Sequence, residues 1–140
     1  MANIEDLAAK VIDVGFHLHR ELGPGLLESV YESILARRLA DCGISVVRQQ
    51  PVPIDYGGVR LDEGFRADLV VEKLLVIELK SAEQFVPVHG KQLLTYLKLM
   101  HLPLGLLLNF GAATFKEGVR RIVNDHRNFS GSRLAINQNR

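Results

Sequence analysis

The stretch RADLVVEKLLVIELK, residues 66–80, decides the fold. In its first half, Arg66, Asp68 and Val70 alternate with Ala67, Leu69 and Val71. Such alternation is typical of a β-strand with one face on the core. Its second half alternates in the same way, so Glu78 and Lys80 share one face of a second strand. The pattern predicts a hairpin that turns near residues 72–74.

The number of residues in that turn decides whether Asp68 lies beside Glu78. A three-residue loop centred on Lys73 would pair position 68 with position 78, placing the two Cβ atoms roughly 5 Å apart on one face. A two-residue turn would pair position 68 with position 77 and direct the two acids to opposite faces. The sequence leaves both registers open.

Asp68, Glu78 and Lys80 have the chemistry of a metal centre. Two adjacent carboxylates repel each other unless one takes up a proton or the pair holds a cation, and oxygen ligands favour Mg²⁺ or Mn²⁺ over zinc. Such a cation can polarise a phosphoryl oxygen and activate a water, which the Lys80 ammonium would orient. The alternative is a surface salt bridge, because an acid two residues from a lysine is common on strands.

Two helices are predicted before these strands. Apolar residues recur at spacings of three and four through the first twenty-two positions, and Leu-Gly-Pro-Gly at 22–25 ends that helix. A second helix is predicted from about Leu26 to Asp41, with Gly43 stopping it. Its predicted buried stripe contains Leu27, Val30, Tyr31, Ile34 and Leu35.

The remaining elements complete an α/β domain. Short strands are predicted between residues 44 and 80, separated by Pro-Val-Pro at 51–53, Gly-Gly at 57–58 and Gly64. A helix at His89–Met100 and strands at Leu104–Asn109 and Val119–Val123 follow. The order is helix, helix, three or four strands, helix, strand, strand, which predicts a single domain over 1–140 whose last residues, about 124–140, form a loose tail.

Polar residues on the helices could complete the site. Glu28 lies at the edge of the second helix's stripe, one turn from Tyr31, where a third carboxylate could join a metal site or only benefit from the helix dipole. On the later helix, Gln92 and Tyr96 lie four residues apart on one predicted inward face. Their amide and phenol could bond carboxylates or a phosphate, or form the polar edge of a core helix.

The composition predicts a soluble, folded protein in the cytoplasm. Hydrophobic residues make up 47% and charged residues 24%, and no apolar run approaches the roughly 18 residues of a membrane span. The single cysteine, Cys42, cannot form an internal disulfide, and its place near a helix end predicts packing. The net charge is +1, but residues 116–140 carry six Lys or Arg against two acids, which could contact phosphates or form a solvated surface.

Several segments together resemble the GxxExxY proteins, a group placed in the PD-(D/E)XK nuclease superfamily. The similarity extends from about His19 to Val123, with Ala67 standing where the superfamily's name has proline. The segments that carry the resemblance are Gly-Leu-Leu-Glu-Ser-Val-Tyr (25–31), Arg-Ala-Asp-Leu-Val-Val (66–71), Val-Ile-Glu-Leu-Lys (76–80), Gln-Leu-Leu-Thr-Tyr-Leu (92–97) and Leu-Leu-Leu-Asn-Phe-Gly (106–111).

The resemblance implies a restriction-endonuclease-like core, in which a central mixed β-sheet is flanked by helices. It implies a Mg²⁺- or Mn²⁺-dependent nuclease with Asp68 and Glu78 as metal ligands, Lys80 as the catalytic lysine and Glu28 as the acid from the preceding helix. Gln92 and Tyr96 would correspond to the glutamine and tyrosine that support the active site in exonuclease-like members. The substrate implied is nucleic acid; the resemblance does not name which kind, and we expect DNA rather than RNA.

Two other functions are compatible with the sequence. One is a noncatalytic nucleic-acid-binding or regulatory module that keeps the nuclease fold. The other is an interaction subunit whose first helix packs its stripe on a second copy. A homodimer is compatible with either function, and a second subunit or a partner protein could supply the specificity of the nuclease. The stripe consists of Leu7, Val11, Val14 and Leu18.

Overall fold

The computed structural model describes residues 3–125, and the tail predicted at about 124–140 lies outside that range from residue 126 onward. Helices and strands occur in the predicted order, with three strands between the second and third helices. The elements are α1 (Ile4–Leu22), α2 (Glu28–Asp41), β1 (Val46–Tyr56), β2 (Val59–Val71), β3 (Leu75–Lys80), α3 (Pro87–Met100), β4 (Leu104–Asn109), α4 (Phe115–Gly118) and β5 (Val119–Val123).

Within the described residues the strands form one five-stranded sheet in the order β1-β2-β3-β4-β5. Neighbouring strands are antiparallel except for β3 and β4, which are parallel and are connected through α3. A parallel pair needs such a crossover because a short turn cannot return the chain to the same end of the sheet. The predicted mixed sheet flanked by helices is confirmed.

The turn between β2 and β3 contains three residues, so the three-residue alternative is correct. Leu69 lies opposite Ile77 and Val71 lies opposite Leu75. The same register places position 68 opposite position 78. The turn is made possible by Glu72 and Lys73, which both adopt left-handed backbone angles with φ of 52° and 56°.

Helices α1 and α2 cover one face of the sheet. Asn3 caps α1 by accepting a hydrogen bond from the backbone N–H of Asp6 at 2.8 Å. The stripe of α1 is buried against α2 and the sheet, so the prediction that it packs on a second copy is wrong. The sheet's contribution to this core consists of Leu69, Val71, Leu75, Ile77, Leu79, Leu104, Leu106 and Leu108.

Helix α3 covers the opposite face. Leu93 and Leu97 are buried there against the sheet, and each contributes about 2 kcal/mol by leaving water. The sheet residues beneath them include Val70 and Val76, which alternate with the α1-facing residues. Glu78 and Lys80 have the same parity as Val76. Glu78 and Lys80 therefore lie on the face of the sheet that α3 partly covers.

Some local predictions are wrong. Leu27 is 74% exposed and Val30 is also exposed, because Leu27 precedes the helix in an extended conformation and α2 begins only at Glu28. Cys42 is exposed rather than packed, since it lies just past the end of α2. The short helix α4 was not predicted from the sequence.

The predicted separators at 51–53 and Gly64 lie inside strands. Pro51 and Pro53 are tolerated in β1 because it is an edge strand, where a missing N–H need not face a partner. Gly64 lies inside β2, where a Cβ atom would come within 2.3 Å of Ile54 Cγ1. Gly57 and Gly58 do form a turn, with φ of 59° and 82°. No helix within residues 3–125 is long and apolar enough to cross a membrane.

Candidate active site

Asp68 and Glu78 lie where the pairing of β2 and β3 ends. The last registered pair is Leu69 with Ile77, and beyond it the two acidic side chains bond the opposite strand's backbone. Glu78 Oε2 accepts a hydrogen bond from the Asp68 N–H at 2.9 Å, and Asp68 Oδ2 accepts one from the Leu79 N–H at 2.9 Å. The hairpin therefore fixes both carboxylates side by side.

The Glu78 carboxyl is only 8% exposed, and its surroundings favour the protonated form. The pKa of Glu78 is raised from 4.5 to about 8, mainly by burial and further by the charge of the neighbouring Asp68. The hydrogen bond from the Asp68 backbone and the charge of Lys80 lower this pKa, and Glu32 raises it slightly. A cation beside the pair would stabilise the charged form that burial disfavours.

Lys80 lies two residues beyond Glu78 on the same face of β3 and is half-buried. It forms no salt bridge with a carboxylate of residues 3–125. Its charge acts on His89 of α3, whose pKa is lowered first by burial and then by Lys80, with Glu28 acting in the opposite direction. Glu28, Lys80 and His89 therefore interact at one end of the sheet.

Glu28 is exposed at the first position of α2. In the part of the chain that the structure describes, no three acidic, histidine or cysteine side chains gather closely enough to hold one metal ion. Glu28 is thus near Lys80 and His89 but is not brought to Asp68 and Glu78 as a third ligand. Its role at a metal stays a prediction.

Tyr96 of α3 faces the acidic pair, whereas Gln92 does not bond to it. The pKa of Tyr96 is raised by burial first and then by Glu78 and Asp68. Its ring stacks on Phe65 with centroids 3.9 Å apart. Gln92 is exposed and its amide makes no hydrogen bond with residues 3–125. Of the two predicted supporting residues on α3, only Tyr96 interacts with the carboxylates in this structure.

Comparison with known protein families agrees with this geometry. The family model of the PD-(D/E)XK nuclease superfamily matches residues 5–122, which contain both acids and the lysine. The chain belongs to the PD-(D/E)XK nuclease superfamily. No curated protein and no solved structure matched it. Membership accounts for the mixed sheet with helices on both faces, while the narrower assignment to the GxxExxY group stays a prediction.

In this PD-(D/E)XK chain, Tyr31 organises the segment before α2. Its hydroxyl donates to the Gly23 carbonyl and accepts from the N–H groups of Gly25 and Leu26 at 3.1 and 3.2 Å. Its ring stacks on Phe110 with centroids 4.4 Å apart. The hydroxyl therefore fixes the start of α2 rather than bonding the acidic pair.

Sequence reasoning missed two residues that contact the PD-(D/E)XK site. Glu32 of α2 is only 5% exposed, and Gln49 of β1 bridges it to Asp68. The one available signal for Glu32 was its position within the apolar stripe of α2, beside Tyr31 and Leu35, where an acid needs partners. No sequence pattern indicated Gln49, because its contacts lie 17 and 19 residues away along the chain.

The donor set fits a divalent cation, which PD-(D/E)XK nucleases generally use. Asp68 and Glu78 supply carboxylate oxygens on one face, the preferred ligands of Mg²⁺ and Mn²⁺. Glu78 Oε1 accepts no hydrogen bond from the described residues. Burial first and the charge of Asp68 second disfavour the ionised form of Glu78, and a cation beside the pair would offset both effects.

Proposed function

We propose that this protein hydrolyses phosphodiester bonds in nucleic acid, DNA rather than RNA, with Mg²⁺ or Mn²⁺. The observation that carries the proposal is the pairing of Asp68 with Glu78, with Lys80 on the same face, in a chain of the PD-(D/E)XK superfamily. Two carboxylates and one lysine are the residue types that metal-assisted phosphoryl chemistry needs.

Asp68 and Glu78 would hold the cation, and Glu28 would complete its protein ligands from the start of α2. Bound there, the cation would polarise the phosphate and lower the pKa of a water. The Lys80 ammonium, which has no carboxylate partner among residues 3–125, is available to orient the attacking water and to offset charge on the phosphate. Gln92 and Tyr96 would steady the phosphate or the ligands from α3.

A basic cleft beside α3 supports a polyanionic substrate. The cleft has a volume of about 320 Å³ and lies between the start of α3 and β5. Lys91 and Arg120 supply its positive charge, since the Arg121 guanidinium is paired with Glu5 of α1, and the Arg120 guanidinium lies 4.3 Å from the centre of the Phe85 ring. Because α3 carries both Lys91 and the site residue Tyr96, we propose that the nucleic-acid backbone passes along this helix.

Cleavage assays test the proposal directly. The purified protein is incubated with Mg²⁺ or Mn²⁺ and with single-stranded, double-stranded and branched DNA, and with RNA as the comparison. We expect cutting of at least one DNA substrate, which chelation of the metal stops and Asp68→Asn abolishes. If every substrate stays intact with both metals, the catalytic proposal is wrong for those substrates.

One observation favours a noncatalytic binding module as the second candidate. The carboxylates of Asp68 and Glu78 both bond backbone N–H groups, and the Glu78 pKa of about 8 lets the pair stand without a cation. Calorimetry that finds no divalent binding, together with salt-sensitive DNA binding, would support this module. Such a module would depend on a second copy or on a partner protein for any enzymatic step, which sedimentation would reveal.

A further inference from the structure

Gln49 links the acidic pair to a buried carboxylate on α2. Its Nε2 lies 2.8 Å from Glu32 Oε1 and 3.2 Å from Asp68 Oδ1, so it donates to both acids. In the β1–β2 register Arg48 faces Leu69 and Gln50 faces Ala67, which places Gln49 opposite Asp68. The amide therefore stands between two carboxylates that would otherwise repel each other.

The backbone at Gln49 is in a conformation that a side chain disfavours. Its φ is +51°, in the left-handed region, and the regular pairing of β1 with β2 skips this residue. Glycine adopts such angles without steric cost, whereas other residues adopt them under strain. The backbone favours glycine here, yet this position carries a side chain whose amide bonds two acids.

The far end of this bridge is anchored. Glu32 Oε2 accepts a hydrogen bond from Arg48 Nε at 3.2 Å, and the same guanidinium donates to Ser33 Oγ at 3.0 Å. Arg48 thus holds the Glu32 carboxylate in place on α2. A chain of bonds runs from Arg48 through Glu32 and Gln49 to Asp68.

We propose that Gln49 is a positioning residue that aims the Asp68 carboxylate toward a divalent cation, with Glu32 and Arg48 as its anchor. This inference rests on the proposed metal-dependent function. A neutral amide suits the task because it orients an acid without neutralising it, whereas a lysine or arginine would compete with the cation for the same oxygen. The orientation of the Asp68 carboxylate is then fixed by Gln49 at Oδ1 and by the Leu79 N–H at Oδ2.

The experiment compares Gln49→Gly with Gln50→Gly, its neighbour on β1. Gln50 does not have a positive φ and makes no side-chain hydrogen bond with the described residues. Each variant is examined by thermal unfolding, by calorimetric titration with Mn²⁺ and by the NMR resonance of the Leu79 amide proton. That proton reports on Asp68 without any metal, because it bonds to Asp68 Oδ2.

We expect Gln49→Gly to unfold close to the wild-type temperature, because relief of the strained backbone offsets the lost hydrogen bonds to Glu32 and Asp68. Its Mn²⁺ affinity should fall about 10- to 100-fold, as for the loss of other groups that orient a metal ligand. The Leu79 amide resonance should move upfield as its bond to Asp68 weakens. Gln50→Gly should unfold at a lower temperature and keep both the Mn²⁺ affinity and the Leu79 resonance.

An unchanged Mn²⁺ affinity with an unchanged Leu79 resonance in Gln49→Gly would overturn the inference. A lower unfolding temperature with these two readouts unchanged would show that Gln49 serves the fold alone. Should the wild-type protein bind no Mn²⁺, the metal-dependent function fails by itself. The Leu79 resonance then decides the positioning role, which a shift supports and an unchanged position rejects.

Discussion

Glu78 accepts a hydrogen bond from the backbone of Asp68, directly across the hairpin, at the point where the β2–β3 ladder ends. This bond and its counterpart from Leu79 to Asp68 replace ladder bonds with side-chain bonds. The two acids are consequently held together by the fold before any cation binds. Burial of Glu78, with a smaller contribution from the repulsion between the two acids, gives the site a measurable pH dependence.

The first prediction concerns Glu78 and the stability of the metal-free protein. Because the pKa of Glu78 is raised from 4.5 to about 8, the folded state binds this proton more tightly than the unfolded state. The stabilisation is complete below about pH 4.5 and is lost as the pH rises through about 8. Urea unfolding should show a loss of a few kcal/mol over this window, since each pKa unit corresponds to about 1.4 kcal/mol.

Glu78→Gln should flatten this pH profile, because the amide stays neutral throughout. The exposed Glu83→Gln serves as the control and should keep the wild-type slope. Added Mn²⁺ should restore stability to the wild-type protein above pH 8 but not to Glu78→Gln. A wild-type profile as flat as that of Glu78→Gln would show that the Glu78 proton is not bound more tightly in the folded state.

The second prediction concerns Lys80, whose ammonium has no carboxylate partner within residues 3–125. If the protein cuts nucleic acid, Lys80→Ala should reduce the single-turnover rate by about 100-fold or more, because a donor aimed at developing charge is lost. The Mn²⁺ affinity should not fall, since Lys80 repels rather than binds a cation. Lys116→Ala, an exposed lysine on α4, is the matched control, and equal rates in the two variants would contradict the assignment.

Much of the fold follows from local pattern. The alternation of residues 66–80, the helical spacing of α3 and the apolar run of β4 each depend on neighbours within a few positions. The register of the β2–β3 hairpin could not be predicted from local pattern. It depends on positive φ angles at Glu72 and Lys73, which a sequence without glycine at those positions does not indicate.

The candidate site was predictable to the extent that it lies on one hairpin. Glu78 and Lys80 share a face by strand parity alone, and Asp68 joins them once the turn length is known. The bridge from Glu32 through Gln49 was not predictable, because it joins α2 to an edge strand through a side chain on a left-handed backbone. Such contacts depend on tertiary structure rather than on periodicity.

The third prediction tests Glu28 as a metal ligand. Glu28→Gln should lower Mn²⁺ affinity by about tenfold if its carboxylate joins Asp68 and Glu78 when the cation binds. The unfolding temperature should not change, because Glu28 is exposed and makes no salt bridge with the described residues. Calorimetry compares the Mn²⁺ affinity of Glu28→Gln with that of the control Glu83→Gln. Equal Mn²⁺ affinities in the two variants would show that Glu28 is not a metal ligand.

The fourth prediction concerns the hydroxyl of Tyr31. Tyr31→Phe keeps the stacking on Phe110 but removes the hydrogen bonds to the segment 23–26, so it should lower the free energy of unfolding by about 1–3 kcal/mol. Tyr56→Phe is the control, since Tyr56 is exposed at the end of β1 and should be neutral. Equal stability of Tyr31→Phe and wild type would mean that water replaces those bonds.

The last prediction concerns the cleft beside α3. Lys91 is exposed, lines the cleft with Arg120 and forms no salt bridge with the described residues, so it is free to contact a phosphate. Each phosphate contact adds about 0.9 to the slope of the logarithm of affinity against the logarithm of salt concentration. Lys91→Ala should therefore weaken DNA binding and reduce that slope by about 1.

Lys73→Ala provides the control, because Lys73 is exposed at the β2–β3 turn, at the end of β3 far from Lys80. Its salt slope should equal that of the wild-type protein in titrations of a fluorescent duplex across a range of salt concentrations. If Lys91→Ala and Lys73→Ala reduce the slope equally, the positive charge of the whole surface attracts DNA, and the proposal that DNA passes along α3 is wrong. If only Lys91→Ala reduces the slope, the DNA backbone contacts α3, the helix whose Tyr96 is influenced by the acidic pair.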